Sequence, residues 1–67
     1  MDINTIAKNI RKYRIEKGYT QKELAKMIGR ATITVSKYEL GYTIPSPYSI
    51  TKIAEILEVN RADILRD

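Results

Sequence analysis

The sequence of 67 residues contains no cysteine and no histidine, only three glycines and only two prolines. Without cysteine, neither a disulfide nor a thiolate metal site can reinforce a small core, and a reducing compartment is compatible. The absence of histidine removes the commonest general base and the commonest metal ligand together. Three glycines cannot build a glycine-rich phosphate loop, and no nucleophile has a base beside it, so an enzyme is not expected. No apolar run approaches the roughly 20 residues that span a bilayer. The N-terminus, with Asp2 and no apolar stretch behind it, does not form a signal peptide. These absences lead to a soluble, cytoplasmic protein with no membrane partner, no cofactor and no small-molecule ligand.

A chain of this length makes one domain, residues 1–67, near the lower size limit at which a hydrophobic core alone holds a fold. A large internal active-site cavity does not fit in it. The net charge is +4, and its distribution is uneven. Up to Tyr42 there are nine basic residues (Lys8, Arg11, Lys12, Arg14, Lys17, Lys22, Lys26, Arg30 and Lys37) against Asp2, Glu16, Glu23 and Glu39. Beyond it, Lys52, Arg61 and Arg66 face Glu55, Glu58, Asp63 and Asp67. A basic N-terminal half suits approach to a polyanion, although charge alone is equally consistent with a solvated helical surface.

Apolar residues recur with a period near 3.6 and no alternating run marks a strand, so the expected fold class is all-α with five short helices. The first spans about Ile3 to Lys17, with Ile6, Ile10, Tyr13 and Arg14 on one face, and stops at Gly18. Thr20 and Glu23 have capping-box spacing and open a second helix whose buried stripe is Leu24, Ala25 and Ile28. Gly29 can take the positive φ that ends it. A third helix, about Thr32 to Leu40, buries Val35 and Tyr38 and ends at Gly41. The stretch Tyr42 to Pro47 holds both prolines and forms a loop, with Pro47 suited to a first helical turn. The fourth helix carries Ile50, Ile53, Ala54 and Leu57. Asn60 and Asp63 cap a short fifth contributing Ile64 and Leu65.

The second and third helices, joined by a glycine turn, have the makings of a helix-turn-helix over Gln21 to Leu40. Ala25 admits the partner helix, Gly29 makes the turn and Val35 fills the space between. The chain resembles the helix-turn-helix family of phage repressors and Cro proteins, the XRE family. The matching residues are Ile10 and Arg14; Thr20-Gln21 with Glu23-Leu24-Ala25; Gly29; Val35; and Tyr38-Glu39 before Gly41. Pro45, Ile53-Ala54, Leu57, Val59 and Ile64-Leu65 also fit, so the likeness covers nearly the whole chain. It implies a five-helix, lambda-repressor-like DNA-binding domain.

The resemblance also implies roles. Arg14 and Glu39 would form a structural ion pair joining the first helix to the end of the third. The third helix would enter the major groove, with Thr32, Ile33, Ser36 and Lys37 as base-contacting candidates. Lys37 can donate to guanine, Thr32 can donate or accept, and Ile33 can pack on a thymine methyl. Ala31 cannot cap this helix, which leaves open that Thr32 caps it instead and is withdrawn from the bases. Phosphate-contacting candidates are Gln21 at a positive helix end, Tyr42, Thr43 and Ser46 in the loop, and the cations Arg11, Lys22 and Arg30. Relatives often carry a basic residue in that loop and this chain does not, so a moderate salt dependence is expected, corresponding to about four to six phosphates per monomer.

The resulting expectation is a sequence-specific transcriptional regulator, a repressor in preference to an activator, since repression needs only operator occupancy. It would bind double-stranded DNA as a homodimer on an inverted repeat. The dimer surface would lie on the last two helices, with Ile56, Val59 or Leu65 shared between core and interface. Ile15 lies off the buried stripe and has no role in this scheme. The alternative is an antitoxin-like or co-regulator module that uses the same fold to hold another protein.

Overall fold

Four of the five helices end on the same device. In the computed structural model, which describes residues 2–67, the helices are α1 (Ile3–Lys17), α2 (Gln21–Ile28), α3 (Thr32–Leu40), α4 (Pro47–Leu57) and α5 (Arg61–Leu65). Beyond each of the first four, one residue turns left-handed and the next amide reaches back five residues to a carbonyl of the last helical turn. Tyr19 donates to Arg14 at 3.1 Å, Arg30 to Ala25 at 2.9 Å, Tyr42 to Lys37 at 2.9 Å and Val59 to Ala54 at 3.0 Å. Glycine supplies the left-handed residue after α1, α2 and α3. After α4 it is Glu58, at φ 57°, which carries a backbone cost that glycine would not.

The helix starts are local as well. Thr20 accepts the Glu23 amide at 3.0 Å while Glu23 Oε1 accepts the Thr20 amide at 2.8 Å, the reciprocal arrangement its spacing implied. Asp2 caps α1 through the Asn4 amide at 3.0 Å. Ser46 caps α4 through the Ser49 amide at 3.1 Å, followed by Pro47 in the first turn. In α5, Asp63 accepts the Asn60 amide at 2.9 Å. The N-cap position of α3 is Ala31, with no side-chain bond, and Thr32 is its first helical residue. Thr32 therefore does not withdraw as a cap.

The helices close around one core. It contains Ile6 and Ile10 of α1, Leu24, Ala25 and Ile28 of α2, Val35 and Tyr38 of α3, Ile50, Ile53, Ala54 and Leu57 of α4, and Ile64 of α5. Each fully buried Ile or Leu contributes on the order of 1.5–3 kcal/mol of transfer free energy, so the core has little to spare in so short a chain. Ala25 and Val35, 1% and 0% exposed, lie where α2 and α3 meet, and side chains this small allow two short helices to pack closely. Tyr13, Tyr19, Ile56, Val59 and Leu65 pack partly buried around the core. Among the described residues, no helix is long and apolar enough to cross a membrane.

Polar clips join the ends of the chain. Asn9 Nδ2 of α1 donates to the carbonyls of Ile64 and Arg66 at 2.9 and 2.6 Å, and Thr5 Oγ1 donates to Asp67 Oδ1 at 2.8 Å. Arg61 reaches from α5 to the Pro47 carbonyl at 3.0 Å, and Lys17 pairs with Glu58. With α1 backed by α5 and α4, α2 and α3 are held from behind and their outer faces stay open.

Candidate nucleic-acid interface

The outer face of α3 follows from which residues its inner face needs. Val35 and Tyr38 point inward, and at about 100° per residue the side chains of Thr32, Ser36, Ile33 and Lys37 then fan over the opposite arc. Thr32, Ile33 and Lys37 are exposed and Ser36 is half-buried. Ile33, at 60% exposure, is a large aliphatic side chain held in water on an otherwise polar surface.

Beside this arc, Arg30, Thr34, Lys37 and Thr43 surround a surface concavity of about 210 Å³ with Tyr38 at its base. The concavity brings together Lys37, Arg30 and Thr43, which come from α3, the turn before it and the loop after it. Thr34 is a residue that sequence reasoning missed. Its spacing of three from Lys37 on the same helix was the available signal.

The remaining candidates are placed differently. Arg11 and Lys22 are exposed on α1 and α2, and among the described residues no hydrogen bond or ion pair joins either to α3. Tyr42 is 73% exposed. The Ser46 hydroxyl is engaged within the fold: it accepts the Ser49 amide and bonds Ser49 Oγ at 3.1 Å. To donate to a phosphate it would have to exchange the second of these bonds.

Gln21 opens α2, and its Nε2 donates to Glu39 Oε1 at 3.0 Å. Glu39 is also where Arg14 arrives: Arg14 Nε meets Oε2 at 2.6 Å and Nη2 meets Oε1 at 2.9 Å. A third donor, Arg14 Nη1, holds the Tyr19 carbonyl at 2.8 Å. The Arg14 and Glu39 side chains are 12% and 2% exposed, so this fork-to-fork pair lies under the surface and ties α1, the α1–α2 turn and α3 together. The bond to Glu39 pushes the Arg14 pKa still higher, against the opposing effect of burial. The guanidinium stays charged at any pH at which the protein folds.

A second exposed feature lies on another face. Ile44, 52% exposed, lines a groove of about 150 Å³ together with Ile6, Pro45, Pro47, Ile50, Arg61 and Leu65, and Tyr48, next to Pro47 in the chain, is 71% exposed. Ile15, at 51% exposure, remains without a partner assigned to it.

A family model described as helix-turn-helix matches residues 10–64. No curated protein matches the chain significantly. Solved structures do. A hypothetical transcription factor, NHTF from Neisseria, is 31% identical over 96% of this chain and 74% of its own, with a TM-score of 0.89. The restriction-modification controller protein C.AhdI from Aeromonas hydrophila is 26% identical over 92% of this chain and 94% of its own, with a TM-score of 0.87. The SOS-response transcriptional repressor LexA from Eubacterium rectale is 26% identical over 98% of this chain and 70% of its own, with a TM-score of 0.92.

Proposed function

Because the chain belongs to the helix-turn-helix family of DNA-binding transcription regulators, we propose that it is a repressor that occupies an operator as a homodimer. The observation that carries this reading is the two-sided character of α3. Its inner face is fixed by Val35, Tyr38 and the Arg14–Glu39 pair, while exposed Thr32, Ile33 and Lys37 and half-buried Ser36 lie on the outer face for base edges. Gln21, Arg11, Lys22, Arg30, Tyr42, Thr43 and Ser46 serve the phosphates around it. Repression is favoured because occupancy alone suffices for it, and because one structural neighbour, LexA, is itself a transcriptional repressor. Such a protein works in the cytoplasm.

The size of the protein favours two copies on the DNA. The protein measures 26 × 23 × 20 Å, less than the roughly 34–36 Å of one DNA turn, so one copy reads one half-site. The groove lined by Ile44 offers a face on which a second copy can bury exposed apolar surface of both. Leu65 of α5 lines that groove; like Ile56 and Val59 it is also partly buried against the core.

The test is selection of bound duplexes from a random pool, followed by titration of the winner at several salt concentrations. An enriched inverted repeat with half-sites about one turn apart is expected, with a salt slope corresponding to about four to six phosphates per monomer at about 0.9 each. A slope near zero would remove the backbone contacts from the scheme. Failure to enrich any sequence would move the reading to a protein-holding module of the antitoxin or co-regulator kind, and copurification of an unrelated chain would support that.

A further inference from the structure

Glu39 has a feature that a purely structural ion pair does not need. Its carboxylate is already satisfied by two nitrogens of Arg14, at 2.6 and 2.9 Å, yet Oε1 also accepts Nε2 of Gln21 at 3.0 Å. An ionised carboxylate can only accept hydrogen bonds. The Gln21 amide is therefore obliged to turn its nitrogen inward, because its carbonyl end would set two acceptors against each other. A half-turn that would otherwise be ambiguous for a glutamine is decided here by chemistry. Nε2 carries two hydrogens, and Glu39 takes one. Gln21 is also the first residue of α2, where the leading amides have no acceptor inside the helix and the positive end of the dipole is exposed.

We propose that Glu39, itself held by Arg14, is a positioning residue for DNA-backbone recognition. It locks the Gln21 amide so that its second N–H is presented, beside the first amides of α2, to a phosphate oxygen. The inference rests on the reading of Gln21 as a phosphate ligand and deepens it. The carboxylate itself touches no DNA. It acts by ordering a flexible side chain before binding, and the lost ordering cost corresponds to about a two- to tenfold gain in affinity.

Gln21 is the only glutamine in the sequence, so its side-chain amide signals in the NMR spectrum of the free, full chain can be assigned without ambiguity. One of its two Nε2 protons is expected to exchange with solvent markedly more slowly than the other. Equal, fast exchange of both would overturn the lock, even if no Glu39 variant folds. The second arm titrates the selected operator with the wild type, Gln21→Ala, Glu39→Gln and the double variant, using folded protein only. Glu39→Gln keeps the volume but can offer either amide end to Gln21. The expected result is a two- to tenfold loss from Glu39→Gln alone, and no further loss when it is added to Gln21→Ala. A loss that adds in full to that of Gln21→Ala, or no loss at all, would overturn the positioning role while leaving the contact by Gln21 in place. Undiminished binding by Gln21→Ala would instead refute the underlying assignment of Gln21 to a phosphate.

Discussion

Replacing Glu39 with alanine tests the packing logic most directly. The substitution removes the acceptor for Arg14 Nε and Nη2 and for Gln21 Nε2, at a side chain only 2% exposed. It leaves a guanidinium, 12% exposed, without its counter-charge. Removing one partner of a buried pair costs about 3–5 kcal/mol. Arg14 keeps its bond to the Tyr19 carbonyl and lies near the surface, so the lower end, about 3 kcal/mol, is expected here. A chain of this length has a total stability of about 3–10 kcal/mol, so the variant should be marginal, with a melting temperature lower by about 12–24 °C. Urea unfolding followed by far-UV circular dichroism measures it, with an unchanged m-value as the check that only stability has moved. Replacing both partners by apolar residues of similar size, Arg14→Met with Glu39→Leu, should cost much less than the two single losses combined. A Glu39→Ala cost below about 1 kcal/mol would refute the reasoning, because the site would then behave as an exposed pair. A double variant as costly as the sum of the singles would refute it too, because it would show no coupling.

Three further outcomes are expected. Lys37→Ala should cost about 1–3 kcal/mol on the selected operator and relax preference at one base position, while leaving random DNA nearly unaffected; equal losses on both, measured by parallel titrations, would make Lys37 a phosphate ligand, the role proposed for Arg30 and Thr43. Gly41→Ala should destabilise more than Gly18→Ala. Both positions have positive φ, and alanine there carries about 1–2 kcal/mol of strain. A Cβ at Gly41 would also stand 3.0 Å from Asn4 Oδ1, whereas at Gly18 nothing lies within 4 Å. In an Asn4→Ala background the excess in urea unfolding should disappear.

The third outcome concerns pH. The hydrogen bond to Lys17 holds Glu58 below its ordinary value of 4.5, and the bond to Glu58 raises Lys17 above its ordinary 10.5. Because the Glu58 pKa is lower in the folded state, its contribution to stability is present above 4.5 and is lost as pH falls through the folded value. The Lys17 pKa is raised, so its contribution is complete below 10.5 and is lost as pH rises through the folded value. Both groups face solvent, so the effect is small and sensitive to salt. Melting temperature against pH should be flatter at both extremes in Lys17→Ala; identical profiles would show that the pair contributes nothing.

How much of the molecule was legible in advance depends on the reach of the interaction concerned. The helix bounds, the glycine stops and the Thr20–Glu23 capping box involve groups within a few residues of one another, so the spacing of residue types was enough to find them. Most of the buried stripe of each helix was legible too, because period fixes which side chains share a face, although in α1 the buried set is Ile6, Ala7 and Ile10, with Tyr13 and Arg14 only half-buried. Other features gave no local sign. Glu58 occupies the left-handed position that glycine fills after the other three helices, and nothing in Leu57-Glu58-Val59 announces it. Residue types alone do not decide the capless start of α3 at Thr32, since they do not say whether packing against α2 holds a helix end that lacks a side-chain cap.

The sequence by itself determined that this is an all-helical chain with a helix-turn-helix in its basic half, because capping, helical period and glycine placement are short-range physics written in adjacent residues. Tertiary structure alone decided what those helices do to one another. It joined Gln21 to Glu39, clipped Asn9 onto the carbonyls of Ile64 and Arg66, and gathered Arg30, Thr34, Lys37 and Thr43 around one concavity. Each of these depends on distances between segments far apart in the chain. Those distances are set by how the core packs, and no local pattern of residues records them.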